Sequence, residues 1–193
     1  GGSIKNVAMG CVAKESKAAQ HRVNRGVIEI SKCTGCGKCV EGCAFEALSV
    51  IDEKMVRDDE KCLNCNNCVY ICPEDVFSLP PRAKEMFQVC LAHAAAGVLS
   101  QFQSRAAFIN FVQDITPLCD CATPSGLPVV PDIGIFSSTD VVAIDKASLD
   151  LIAQSKPLWK FAGIKSIDIL GKIHNTDSLI QIRTAQELGL GSM

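Results

Sequence analysis

The sequence predicts an α+β fold in which a small cysteine-rich module is inserted in a mixed α/β host domain. Two observations predict the module: one cysteine spacing occurs twice, and short alternating segments surround both copies. The host is predicted by longer segments of helical and strand periodicity that follow the second copy. These patterns divide the chain into an N-terminal part of the host domain at 1–25, the module at 26–80 and a C-terminal part of the host at 81–193.

Composition indicates a globular protein, and the spacing of its cysteines is of the kind that holds metal in a reducing compartment. The 193 residues are 48% hydrophobic, which is enough to build a core. We expect a cytoplasmic protein without a membrane span, because no apolar run reaches the roughly 20 residues of a spanning helix and no secretory signal is present. The net charge of -2, without a basic stripe, argues against a nucleic-acid partner. Because the chain starts with Gly1 and Gly2 and no methionine, we expect a fragment or a processed chain.

Eight of the twelve cysteines follow the spacing C-x2-C-x2-C-x3-C, which occurs twice. The first run is Cys33, Cys36, Cys39 and Cys43, and the second run is Cys62, Cys65, Cys68 and Cys72. Three thiolates at this spacing can surround one face of a four-iron cage. The fourth thiolate, which we place at the start of a helix, then points toward a second cage. Zinc sites and disulfides are the alternative use of such thiols.

The segments around the two runs predict four short strands. Residues 47–51 and 55–58 alternate on either side of a polar turn and predict a β-hairpin, and matching strands are expected at 26–30 and 76–80. The order of these elements resembles that of the two-cluster bacterial ferredoxins: a strand, a cysteine loop, a short helix and a strand, repeated once. This resemblance implies two [4Fe–4S] clusters with crossed ligands. One cluster would be bound by Cys33, Cys36, Cys39 and Cys72, and the other by Cys62, Cys65, Cys68 and Cys43.

The rest of the chain predicts the host domain. A helix is expected at 82–102, with Cys90 on its apolar stripe, and another helix in the segment that starts at Ser138, with a serine or threonine as its cap. The other predicted elements are a strand in 106–116, an extended stretch at 127–138, a short strand at 164–170 and a last helix at 177–188.

Several motifs outside the cysteine runs are recognisable together. They are "GSIKNVAMGC", "ITPLCDC", "PDIGIFSSTDVVAID" and "KASLDL". With the paired runs, they resemble the iron–sulfur members of the family called domain of unknown function 362 (DUF362). This resemblance spans nearly the whole chain and implies no assigned biochemical function. It also implies a longer N-terminal half, which would then be one candidate partner of this chain.

Two further cysteines flank one aspartate in "TPLCDCATPSG". Cys119 and Cys121 lie two residues apart, so on an extended strand they would face one object. That object is either a metal ion completed by Cys11 and His21, or a substrate reduced by a cysteine pair fed with electrons from the clusters. The third alternative is a buried pair with Asp120 in a local turn.

Other polar residues give weaker signals. His93 and His174 have no partner that the sequence reveals. Asp132, Asp140 and Asp145 could form a polar site, although helix capping and turn formation explain Asp140 more simply.

The sequence therefore predicts an electron-transfer protein with two [4Fe–4S] clusters that exchanges single electrons with a redox partner protein or with a site on the host domain. The alternative is an oxidoreductase with catalytic candidates Cys119, Asp120 and Cys121, in which Cys119 and Cys121 act either as a redox dithiol or as an additional metal site fed by the clusters. A third alternative is a subunit whose clusters only stabilise the fold.

Overall fold

The computed structural model describes residues 2–102, 105–118 and 125–193. The fold is α+β and separates into two compact units. The cysteine-rich unit is Ala13–Phe87, and the host unit combines Gly1–Val12 with Gln88–Met193. The host unit is therefore built from two separate stretches of chain.

The cysteine-rich unit contains two small antiparallel sheets and short helices. Strand β2 (Leu48–Ile51) pairs with β3 (Lys54–Arg57), and β1 (Val27–Ile28) pairs with β4 (Phe77–Ser78). The predicted hairpin is thus present, whereas the predicted strands at 26–30 and 76–80 are each reduced to two residues. The helices are α2 (Lys14–His21), α3 (Lys38–Glu41) and α4 (Asn67–Ile71), with 3-10 turns at Arg22–Asn24 and Ile30–Lys32.

The core of this unit is small and rich in sulfur. Its buried members are Cys39, Leu48, Met55, Val76 and Phe77. The partly buried side chains packed on them include Cys33, Cys43, Cys68 and Cys72. Cysteines thus take the places that larger apolar residues occupy in an ordinary core, so few apolar contacts are left to stabilise the unit.

The host unit packs helices against one two-stranded sheet. Its elements are α1 (Ser3–Gly10), β5 (Phe108–Val112), β6 (Gly134–Ser138), α6 (Val141–Gln154), α7 (Ile169–His174) and α8 (Ile180–Glu187), with 3-10 turns at Ser100–Phe102 and Trp159–Phe161. Strands β5 and β6 are antiparallel. Helix α5 (Ala83–Leu99) begins in the cysteine-rich unit and continues into the host unit, and Cys90 on it is partly buried. No helix in the described ranges is long and apolar enough to cross a membrane.

Residues 164–170 do not form the strand that their sequence predicts. Instead, Asp168 is the N-cap of α7, and its carboxylate accepts a hydrogen bond from the Gly171 N–H at 2.8 Å. The other carboxylate oxygen accepts from the Ser178 N–H at 2.9 Å. An aspartate cap satisfies donors that a helix start leaves open, which favours a helix over an isolated strand here.

The three aspartates proposed as a polar site have structural roles. Asp140 caps α6 and accepts hydrogen bonds from the Val142 and Ala143 N–H groups. Asp132 accepts from the Asp114 N–H. Asp145 is buried and accepts from the N–H groups of Ser3 and Ile4 at the start of α1. Asp145 therefore connects the N-terminal helix to the rest of the host unit.

Candidate functional site

Four of the eight cysteines in the two runs line one cavity, called here the first cavity. They are Cys33, Cys36, Cys39 and Cys72. The cavity measures about 320 Å³, part of it open to solvent. Apolar side chains complete the wall: Val50, Met55, Pro73, Val76 and Phe77.

The other four cysteines line a second cavity in the same unit. They are Cys43, Cys62, Cys65 and Cys68, and the second cavity measures about 480 Å³ including its opening to solvent. Cys39 lines this cavity too, so it lies in both walls. Each set of four combines three cysteines of one run with the last cysteine of the other.

Both runs use the same local backbone. Gly37 and Asn66 have left-handed conformations, with φ of 75° and 63°, and they precede α3 and α4. These helices carry the third cysteine of each run, Cys39 and Cys68. The fourth cysteines were predicted at helix starts, and this is wrong: Cys72 is the C-cap of α4, and Cys43 follows the C-cap of α3. The end of each short helix therefore releases the chain toward the other cavity.

Backbone donors point at cysteine sulfur in each set. The Met55 N–H donates to Cys33 Sγ at 3.3 Å, and the Ala47 N–H donates to Cys43 Sγ at 3.4 Å. Both donors belong to the hairpin or its edge, so the hairpin supplies one sulfur-directed donor for each cavity. Such hydrogen bonds stabilise thiolate and adjust the electronic properties of a bound metal group.

Burial and neighbouring thiols disfavour the charged form of the two innermost cysteines. Burial raises the pKa of Cys39, and the charges of Cys72, Cys33 and Cys36 add to this effect. Burial, followed by Cys65 and Cys62, raises the pKa of Cys68 to about 11. The neighbouring cysteines that raise each of these pKa values come mainly from the same set of four. Without a cation to compensate them, these thiols keep their protons at neutral pH.

Comparison with known proteins identifies the family. A family model described as domain of unknown function (DUF362) matches residues 1–150. The chain belongs to the DUF362 family. No curated protein and no solved structure matches it. The family description assigns no function, so the chemistry of this DUF362 chain has to be argued from its own residues.

An additional metal ion was predicted to bind Cys119, Cys121, Cys11 and His21, and only Cys11 and His21 lie among the described residues of this DUF362 chain. Cys119, Asp120 and Cys121 lie outside the described residues, so their role stays a prediction. Cys11 is exposed, and it belongs to the host unit. His21 stacks on Phe87 with ring centroids 4.8 Å apart, and burial lowers its pKa. Within 2–102, 105–118 and 125–193, no three His, Cys, Asp or Glu side chains form a group that could hold a single metal ion, and this holds for the eight cysteines of the two runs as well.

Sequence reasoning missed the charged side chains that line the two cavities. Arg57 lines the second cavity, and Glu74 lines the first. Arg57 lies two residues after the buried Met55 on β3, so the two-residue period of a strand puts both on one face. That period was the available signal for Arg57, because no fixed spacing relates it to the cysteines.

The raised pKa of Cys68 predicts how the metal-free DUF362 chain responds to alkaline pH. The folded chain holds this proton more tightly than the unfolded chain, whose thiol has an ordinary pKa of 9.0. The stabilising contribution is therefore complete below pH 9.0 and is lost as pH rises toward about 11. Urea unfolding of the metal-free chain at pH 8 and at pH 10.5 should show this loss. Cys68→Ser should show a smaller loss, and equal losses in the two proteins would contradict the assignment.

Proposed function

We propose that this chain is an electron-transfer protein in which residues 26–80 form a two-cluster ferredoxin module. The observation that supports this most is the pair of neighbouring cavities, each lined by its own four cysteines in a crossed arrangement. Two-cluster bacterial ferredoxins take the fourth ligand of each cluster from the other run. Here Cys43 and Cys72 lie at the ends of α3 and α4, and each lines the cavity whose other cysteines belong mainly to the other run.

The residues present fit four-iron clusters better than single ions. The thiolates of such a cluster surround a cage of atoms and so need not converge on one point, which agrees with the finding that no three of the described His, Cys, Asp or Glu side chains could hold a single metal ion. All eight cysteines are free of disulfides, so eight thiols are available to bind iron, each losing its proton when it becomes a ligand. The left-handed residues Gly35, Gly37, Asn64 and Asn66 allow the tight loops on which the first cysteines of each run lie.

A bound cluster of this kind supplies a one-electron couple, which the protein adjusts through hydrogen bonds and exposure. The hairpin would adjust it through the Met55 and Ala47 N–H groups, which donate to cysteine sulfur. Val76 and Phe77 are nearly fully buried and keep water from the inner side of the first cavity. Cys39 lies in both walls, so it offers a protein path between the two sites.

The chain would take one electron from a reduced protein and pass one electron to an oxidised acceptor. No proton is needed, because the eight thiolates stay ligands throughout. The donor and acceptor are proposed as separate redox proteins or as a further part of the same polypeptide.

Iron and sulfide analysis tests this function. The chain prepared anaerobically should contain about eight irons and about eight sulfides, and it should accept about two electrons from dithionite and return them reversibly. A zinc content of about two with no sulfide would overturn the proposal. Bound clusters that no strong reductant reduces would instead support a structural role for the clusters.

A further inference from the structure

The two cavities differ in the charge of their walls. Among the described residues that line the second cavity, the only charged side chain besides cysteine is Arg57. Among those that line the first, it is Glu74. Two sites with the same ligands thus have charged neighbours of opposite sign.

Arg57 is held in the wall and is not a mobile surface charge. Its Nε donates to Asp59 Oδ1 at 2.8 Å, and its Nη1 donates to the Gly26 carbonyl at 3.3 Å. The side chain is only 14% exposed, whereas that of Asp59 is 57% exposed. Solvent screens the carboxylate more strongly than the guanidinium, so a positive charge remains at the wall.

Other cations near the two sites are more exposed. Lys54 Nζ donates to the Cys33 carbonyl at 2.6 Å, but Lys54 is on the surface, where water and salt weaken its field. Arg25 forms an ion pair with the same Asp59, yet its side chain is 49% exposed and does not line either cavity. Arg57 is therefore the cation with the strongest expected effect on a bound group.

We infer that Arg57 raises the reduction potential at the second cavity above that at the first, so that the second cavity holds the first electron that the chain accepts. The inference rests on the proposed function. Each reduction adds one negative charge and takes one electron from a low-potential one-electron donor, with no bond formed or broken. A nearby guanidinium that is shielded from water stabilises this added charge, whereas Glu74 at the first cavity is exposed and opposes it only weakly.

A redox titration of the cluster-loaded chain tests this assignment by electron paramagnetic resonance. Arg57→Gln should lower the couple of higher potential, which is assigned to the second cavity, by about 59 mV, a roughly tenfold change in the ratio of reduced to oxidised protein for one electron, and leave the other couple unchanged. A fall in the couple of lower potential alone would contradict the assignment. Arg25→Gln is the matched control. It removes the other guanidinium on Asp59 but no charge from a cavity wall, so it should shift neither couple appreciably.

Two further variants keep the test decisive if Arg57→Gln does not assemble both clusters. Asp59→Asn retains Arg57 and removes its countercharge, so it should raise the couple that Arg57→Gln lowers. Glu74→Gln should raise the reduction potential of the other couple only slightly, because Glu74 is exposed. Equal shifts in Arg57→Gln and Arg25→Gln, or a fall in both couples in Asp59→Asn, would overturn the role of Arg57. If the chain binds iron and shows two reversible couples whose reduction potentials do not change in these variants, only this inference is refuted. If the chain binds no iron, the proposed function is refuted as well.

Discussion

Replacing Cys33 and Cys72 together by alanine is expected to remove about four of the roughly eight irons and to leave the second cluster intact. Both thiols line the first cavity, although they belong to different runs. A double loss inside one set should therefore abolish one cluster only. The measurement is the iron and sulfide content per chain after anaerobic purification, with the visible absorption of the remaining cluster.

The matched control pairs Cys33→Ala with Cys43→Ala. These cysteines belong to the same run but line different cavities, so each cluster loses one ligand and both should become labile. The opposite result would be one intact cluster in the protein with Cys33→Ala and Cys43→Ala, and no cluster in the protein with Cys33→Ala and Cys72→Ala. The ligands of each cluster would then come from a single run. The crossed arrangement would then be wrong.

Gly35→Ala should lower the free energy of unfolding of the cysteine-rich unit by about 3 kcal/mol, because a left-handed alanine costs about 1–2 kcal/mol and overpacking costs a similar amount. Gly35 has a φ of 70°, and a Cβ there would lie 2.7 Å from the backbone oxygen of Glu53. A backbone atom of the hairpin turn cannot move aside without distorting the hairpin. Urea unfolding would measure the loss of stability. Iron content after mild chelation would show whether only the about four irons of the second cavity are retained.

Gly37→Ala separates the two causes. Gly37 has a similar φ of 75°, but a Cβ there would meet no atom within 4 Å. Its cost should be limited to the left-handed conformation, about 1 kcal/mol. Equal losses at both positions would show that contact with the Glu53 backbone contributes nothing.

Sequence reasoning worked best where the interactions are local. The hairpin of β2 and β3 follows from alternation and from the polar turn at Asp52 and Glu53, both of which have positive φ. Strands β1 and β4 are shorter than predicted because their partners are each other, about fifty residues apart, and only two residues of each come into register. The predicted strand at 164–170 was wrong because the capping role of Asp168 outweighed a weak alternation of apolar residues.

The candidate site divides in the same way. The spacing of the runs, together with the resemblance to ferredoxins, predicted which cysteines share a set, and the cavities group them alike. That iron binds there stays a prediction. Arg57 could not be found from spacing, because its place in the wall depends on the pairing of β3 with β2 and on contacts with Gly26 and Asp59.

The two-part host unit has a consequence for synthesis on the ribosome. The N–H groups of Ser3 and Ile4 wait for Asp145, which is 142 and 141 residues later in the chain. At translation rates of about 5–20 residues per second, that delay lasts roughly 7–30 s. During this interval Ile4 and Ala8, which are fully buried in the finished protein, lack their cover, whereas the contiguous segment Ala13–Phe87 is completed before Asp145 is made. Until Asp145 has been made, the nascent chain therefore offers chaperones the apolar side of α1.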